Sequence, residues 1–369
     1  MMASIHTQAQ IIKDITNEVT SVVGTTARTL QREVKKMNAI DTAYIEPQHF
    51  NLAFMLEHST WYEHYTLKGS DAARHYTLTF APTLRTKLGV YFGWRWLFAG
   101  ISFDVDDLFG THRSNSRKTE FDFSIYSSRF GIDIFYRKTG DDFKIRSASG
   151  FRLRQPVQGT EFDGIRSNIY GLNAYWIFNY RHFSYPAAFS QSTCQRRSVG
   201  SFMAGFSYSH HAIDFDVTRL PSGIVSQMPS GMMFRQAKYA DYSLTAGYGY
   251  NYVIRKNLLV NLSLMPGIGF KKSRLDDADN TFPGWIRDLN FDLVTRAGIV
   301  WNDTKYFAGA SVVLHTYDYR KSAFSISNSF GVLRIYAGFN FLKRKPYRSS
   351  SSIGSASIVP HASRACNTD

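Results

Sequence analysis

From about residue 86 onward the chain alternates apolar and polar residues with a period of two. The stretch 242–252 is the clearest case. Tyr242, Leu244, Ala246, Tyr248, Tyr250 and Tyr252 share one face, and Ser243, Thr245, Gly247, Gly249 and Asn251 share the other. That period belongs to a β-strand, whose side chains point to opposite faces in turn. The unit recurs at roughly the 9–11 residues that a tilted strand needs to cross a bilayer. The predicted fold class is all-β: a closed antiparallel transmembrane β-barrel of about twelve strands, preceded by a short N-terminal helical segment.

Strands are expected over 51–67, 86–94, 96–104, 118–126, 130–138 and 165–178, then 200–210, 239–253, 258–271, 288–301, 305–318 and 325–342. Leu88, Val90, Phe92 and Trp94 set one outward face, and Leu333, Ile335, Ala337, Phe339 and Phe341 set the last. Pro266 falls inside a strand, where it removes a ladder hydrogen bond, so a bulge or an end effect is expected there. Tight turns at Arg95, 127–129, 254–257 and 302–304 alternate with longer excursions at 105–117, 139–164, 211–238, 272–287 and 319–324. Short turns at one end and long loops at the other suit an outer-membrane barrel, whereas a soluble sandwich has no reason for them. Trp94, Trp96, Trp176, Trp301 and Tyr306 gather near the short turns, as an interfacial aromatic belt does.

The domain reading is a helical leader over 1–40, a barrel over 41–342 and a disordered, Ser-rich tail over 343–369. Ile11, Ile12, Ile15, Val19, Val22 and Val23 approximate a helical stripe, for a helix that plugs the barrel or for a frayed leader beneath it. Residues 1–10 lack the long apolar core of a signal peptide. They read as the stub of an export signal whose start is expected upstream of Met1.

Of 369 residues, 22 are Tyr, 29 are Phe and only 20% are charged, which favours a β-rich fold. The net charge of +14 raises nucleic acid as a partner. The basic residues are spread through loops (Arg113, Lys138, Lys144, Arg152 and Lys272 among them), so solvated loops or lipid phosphates fit better and no nucleic acid is expected. Cys194 and Cys366 are too few and too far apart for a disulfide framework or a zinc site.

One connection breaks the short-turn rule. Residues 179–198 include Asn179, Tyr180, Arg181, His182, Phe183, Ser184, Tyr185, Arg196 and Arg197. This long, aromatic, basic segment either enters the lumen, docks a partner, or merely extends its two flanking strands. The inward faces carry Asp133, Arg137, Asn173, Tyr175, Asn251, Asn261, Asp292, Arg296, Arg334 and Asn340. They form either a selective pore lining or a charge-paired filling, with Asp133 and Arg137 on one strand and Asp292 and Arg296 on another.

Ser207, Ser209, His210, His211, Asp214 and Asp216 are the best candidates for a lipid hydrolase, but sequence proximity is weak evidence for a triad. Asp104, Asp106 and Asp107, and Asp276, Asp277 and Asp279, lack the pattern of a calcium loop and read as solvated carboxylates.

The run Asn173–Phe189, with Gln195–Ser201, Asp41–Ile45 and Leu88–Leu97, resembles a family of uncharacterised Bacteroidota proteins known as domain of unknown function 4421. The similarity spans about residues 41–342. It implies an outer-membrane-type barrel and no particular activity.

The expected location is therefore the bacterial outer membrane. A small-solute channel or transporter is one functional class, a structural or interaction barrel with a closed lumen is the other, and a lipid-modifying enzyme is the lesser alternative. The expected partners are the bilayer, anionic outer-leaflet glycolipid, the barrel-assembly machinery and small solutes. No catalytic residue, metal or cofactor is expected.

Overall fold

The structure, a computed structural model, describes residues 40–347 apart from 72–73, 95–96, 106–118, 140–141, 275–288 and 321–323. The expected leader helix and the tail beyond 347 lie outside the described residues. Strands are numbered in chain order, and twelve long ones make a wall. These are β2 (Phe50–Ser70), β4 (Arg85–Trp94), β5 (Leu97–Asp104), β6 (Thr119–Tyr126), β7 (Phe130–Lys138) and β10 (Ile165–Ile177), followed by β12 (Val199–Phe215), β13 (Gln236–Arg255), β14 (Leu258–Arg274), β15 (Leu289–Asn302), β16 (Tyr306–Arg320) and β17 (Phe324–Lys343). Five further strands lie outside the wall: β1 (Ile45–Pro47), β3 (His75–Pro82), β8 (Phe143–Ser149), β9 (Glu161–Phe162) and β11 (Thr193–Gln195).

Among the described residues the strand count is thus seventeen, and the expectation of about twelve is corrected. The wall is antiparallel throughout and runs β6-β7-β10-β12-β13-β14-β15-β16-β17-β2, then β4 and β5. β2 is 21 residues long and overhangs its neighbours. Its first half pairs with β4 through Leu52–Trp61, and its far end pairs with β3 through Tyr65–Ser70. β3 passes the ladder on to β8 and β9, while β1 and β11 form a separate two-stranded ribbon.

The expectation of a closed sheet is also corrected. Among the described residues no ladder joins β5 to β6. These are the shortest wall strands, eight residues each, with the fewest hydrogen bonds to gain by meeting. The wall nevertheless curls around an interior. The Arg137 guanidinium of β7 lies 4.4 Å from the ring centre of Trp61 on β2 and 4.3 Å from that of Phe330 on β17.

Side-chain polarity reverses along the wall. Over most of its height the outward positions are apolar and exposed: Phe202, Leu244, Leu262, Phe291 and Ile335 are 51–69% exposed. The inward positions of the same strands are polar and buried, including Ser207, Ser243, Asn261, Arg296 and Ser311. Near the end that bears the long loops the sense inverts. There Tyr65, Leu67, Ile213, Phe215, Ala237, Tyr239 and Ile326 point inward and are buried, while Lys68 and Asp214 point outward.

The same inversion explains why β3 was overlooked. Tyr76, Leu78 and Phe80 alternate as strictly as any wall strand, but their apolar side faces in. A strand above the bilayer has water outside and a core inside, so its pattern is that of a soluble sheet. No helix among the described residues is long and apolar enough to cross a membrane.

Pro266 faces outward and pairs with Leu293 of β15. On its other side, the pairing of β13 with β14 skips Ala246 and Gly247 opposite Met265 and Pro266, then resumes in the same register. The expected bulge is replaced by a gap in one ladder, because the missing N–H costs a hydrogen bond without adding a residue. Gly247 makes the close approach possible, since a Cβ there would lie 2.0 Å from the Leu264 carbonyl oxygen.

Candidate functional site

Residues 179–198 turn into the lumen at the end of the short turns. β10 stops at Ile177 and β12 starts at Val199, so the alternative in which the flanking strands simply continue is corrected. The Asn179 side chain ties the entry by donating to the Gly200 carbonyl at 3.0 Å. A short helix, α1 (Tyr185–Phe189), follows. Ser184 caps it by accepting from the Ala187 N–H, and Pro186 occupies its first turn, where a missing N–H costs nothing. The chain returns as β11, which pairs with β1.

This plug is held by polar contacts to the wall. The Tyr185 hydroxyl meets Ser263 of β14 at 2.6 Å. Asn251 of β13 uses both amide protons on the plug, donating to the Ser184 carbonyl and to Gln195 Oε1, each at 2.9 Å. Asn261 of β14 donates to Asn251 at 2.7 Å, which orients that amide. Gln191 donates to the Tyr336 hydroxyl of β17 at 2.6 Å, and Asn302 of β15 donates to the Gln191 carbonyl at 3.2 Å. The Tyr185 ring packs edge-on against Tyr126 of β6 and Tyr175 of β10. The plug therefore touches β6, β10, β13, β14, β15 and β17. Within it, Gln195 donates to the carbonyls of Tyr44, His182 and Arg197 and accepts from the Ser184 N–H, binding β1, the helix and the exit together.

Above the plug a salt bridge crosses the lumen. Arg296 of β15, 1% exposed, reaches Asp133 of β7 at 2.5 Å. Its guanidinium also lies 5.0 Å from the Tyr175 ring centre and 6.0 Å from that of Tyr185. Residues four apart along a strand have Cα atoms about 13 Å apart, and the curled wall brings Arg296 to Asp133 from the opposite side. Asp292 accepts from the Ser243 hydroxyl, and Arg137 stacks on Trp61 and Phe330.

The remaining inward candidates also line the interior. Asn173 accepts from Ser207 at 2.5 Å, Asn340 donates to the Thr304 carbonyl at 2.9 Å, and half-buried Arg334 lies 3.6 Å from Glu57. Tyr336, inward by strand parity, belongs to the same interior, as do Glu57, Asp241, Gln191 and Gln195, which were missed. Strand parity signals Glu57, Asp241 and Tyr336, but nothing local signals the two glutamines. A cavity of about 160 Å³ beside the plug is lined by Glu57, Tyr126, Gln191, Ser311, Arg334 and Tyr336.

Of the hydrolase candidates, Ser209 and His211 meet at 2.9 Å, wholly buried, with the imidazole stacked on Tyr239. His210 points outward against Tyr170. Asp214 and Asp216 lie at the loop end, where Asp214 accepts from Gln236 and Asp216 from Thr218 and Arg219. The six residues therefore do not assemble into one site. The Thr218 hydroxyl, the largest influence, holds the Asp216 carboxyl below the usual range. Among the described residues no group of three His, Cys, Asp or Glu is placed to hold a metal. Asp106, Asp107 and residues 276–279 lie outside the described residues.

Cys194 is buried in β11 with its thiol against the Asn302 carbonyl, and burial pushes its pKa up to about 12. A thiol that stays protonated is a poor nucleophile. In a Cys366→Ser background, maleimide at neutral pH is expected to leave the folded protein unmodified and to label the urea-unfolded chain once. Rapid labelling of the folded form would contradict the plug's burial.

The loop end is filled differently. β3, β8 and β9 combine with a 3-10 turn (Val217–Arg219), a short helix α2 (Ser222–Val225) and a second 3-10 turn (Ser230–Met232). Leu78, Phe80, Phe143, Phe162, Ile224 and Met232 pack there into an apolar lid. Outside it lies a cleft of about 1380 Å³, lined by both charge signs, including Asp163, Arg166, Asp214, Arg219 and Arg235.

A curled antiparallel wall, apolar outside and polar inside, with a plug at one end and a lid at the other, defines a plugged β-barrel-type protein. The chain belongs to the family described as domain of unknown function (DUF4421), whose model matches residues 39–341. A comparison with curated proteins gave no match. Among solved structures the chain is similar to the outer membrane protease OmpT from Escherichia coli, at 9% identity over 79% of this chain and 97% of that one, with a TM-score of 0.34. It is also similar to the translocator domain of the autotransporter NalP from Neisseria meningitidis (9% identity, 88% and 98% covered, TM-score 0.28). A third is the outer membrane protein OprG from Pseudomonas aeruginosa (13% identity, 80% and 98% covered, TM-score 0.22).

Proposed function

We propose that this protein is an integral β-barrel of the bacterial outer membrane whose lumen is occupied, and that it works as a structural or interaction barrel and not as an open pore. The observation that carries this reading is the plug, which bonds to wall strands around the lumen while the lid fills the opposite end. The outward apolar band supports the bilayer as a partner. Anionic outer-leaflet glycolipid and the barrel-assembly machinery are proposed with it. A Bacteroidota source is proposed on the residue resemblance alone. Wild-type protein in a planar bilayer is expected to be silent while its gel mobility stays heat-modifiable, and sustained discrete openings would overturn the reading.

The second reading is a small-solute channel that opens when the plug moves. It is favoured by the polar character of the plug's anchors, since hydrogen bonds to Asn251 and Tyr336 exchange for water at smaller cost than an apolar core. A lipid-modifying enzyme is not proposed.

Closure of the wall belongs to the same proposal. Within hydrocarbon, the free edges of β5 and β6 have no water to satisfy their N–H and C=O groups, so the two strands pair there. In lipid nanodiscs the amides of 97–104 and 119–126 are expected to exchange hydrogen as slowly as those of β13. Fast exchange confined to those two strands would argue for a standing lateral opening.

A further inference from the structure

We propose that the turn end of the barrel is a docking face for an extended, carboxylate-rich peptide. The inference rests on the reading of the chain as an interaction barrel. It starts from an asymmetry of charge. The plug presents Arg181, Arg196 and Arg197 at its surface, all exposed. Around them the β13–β14 turn adds Arg255 and Lys256, and the β15–β16 turn adds Lys305. β17 ends in Lys343, and Lys345 follows it, both exposed. The loop end, by contrast, mixes both signs in ion pairs such as Arg219 with Asp163 and Asp216.

The acids on the turn end are few and already engaged. Asp41 accepts from the Ala43 N–H and lies 3.4 Å from His182. Asp303 caps its own turn through the N–H groups of Lys305 and Tyr306. Glu46 is held between His49 at 3.3 Å and Arg196 at 3.2 Å. That last contact shows what the face accepts. Glu46 stands on β1, an extended strand laid across the plug, and its carboxylate takes the Arg196 guanidinium. Next to it, Arg197 lies over the Tyr44 ring at 5.4 Å with its charge outward. An extended acidic peptide would repeat along the neighbouring arginines the contact that Glu46 already makes.

Position separates this partner from lipid. Arg255, Lys256 and Lys305 sit at the ends of lipid-facing strands, beside Tyr252, Trp301 and Tyr306, at the level of headgroups. Arg181, Arg196 and Arg197 belong to the plug segment, where Arg196 meets Glu46 and Arg197 lies over Tyr44, and not to a lipid-facing strand. Long-range attraction of a polyanion to such a face is screened by salt.

The test uses the full chain in detergent and fluorescein-labelled poly-L-glutamate, with binding read by anisotropy. Wild type is expected to bind at about 50 mM salt and to lose the signal at about 500 mM. The double variant R181E/R197E is expected to weaken binding by about tenfold or more. It removes two exposed side chains, and heat-modifiable mobility checks that it is folded. R255E/K256E, at the rim, is expected to weaken binding less than the plug variant. Poly-L-glutamine is expected not to bind. Absence of poly-L-glutamate binding at low salt would overturn the proposal. So would binding that ignores the plug variant and follows the rim variant, with phosphatidylglycerol vesicles retained in parallel, because that pattern marks a lipid-facing ring. Planar-bilayer conductance is a separate readout, so an open pore would sink the closed-lumen reading without bearing on this face.

Discussion

Replacing residues 181–197 by a short Gly-Ser linker is expected to turn a silent barrel into a conducting one. The excised stretch carries Tyr185, Gln191 and Gln195, the side chains that join the plug to β14, β17 and β13. It also removes β11, so β1 loses its partner and ceases to span the mouth. The strands on either side survive the cut. β10 and β12 pair directly over thirteen residues, and adjacent strands lie only about 4.8 Å apart, so a linker of a few residues closes the gap. What remains inside is the layer around Arg296 and Asp133 and the apolar lid, whose loops lie toward water. The expected readout is discrete current steps in a planar bilayer from the variant and none from wild type, with heat-modifiable mobility kept in both. A folded variant that stays silent would place the seal in the lid around Phe80 and Ile224. Wild-type openings would remove the plug as a seal altogether.

Arg296→Met is expected to destabilise the folded barrel by about 3–5 kcal/mol. The substitution leaves the Asp133 carboxylate inside the wall without the guanidinium that compensates it, and it forfeits the contacts of that guanidinium with Tyr175 and Tyr185. The double variant D133N/R296M is expected to recover much of the loss, since neither partner then leaves a charge behind. Arg296→Lys keeps the charge but gives up the planar fork and its stacking, and should fall between the two. Urea unfolding in detergent, followed by gel mobility and tryptophan fluorescence, gives all three midpoints. Equal losses in the single and double variants would mean that the pair contributes through packing alone.

Much of the wall was legible in the sequence. Each of the twelve wall strands coincides with a stretch of alternation, least regular in β2, because a wall between lipid and a polar interior imposes a period of two on every crossing. The inward parity of Asp133, Asn173, Asn251, Asn261, Arg296 and Asn340 followed from the same rule, and all of them are buried. The five strands outside the wall were not legible. β1, β9 and β11 are three residues or fewer, too short to show a period. β3 and β8 do show one, but its sense is opposite, and a reading tuned to outward apolar faces passes over it.

The segment 179–198 stood out by length, aromatic content and charge alone. Those features said that it is unusual without saying which way it folds. Its direction depends on partners far away in the chain: Ser263, Asn302 and Tyr336 lie about 80 to 150 residues beyond it, and no local pattern of Gln191 or Gln195 names them.

The sequence by itself determined the faces: which residues meet lipid and which turn inward, since that choice is local and repeats every second residue. Only the tertiary structure decided what the inward residues do. Curling the sheet brings β7 opposite β15 and folds the 179–198 segment between them. A buried charge or amide takes its partner from whatever lies across the lumen, so Arg296 finds Asp133 and the plug finds its anchors through space and not along the chain.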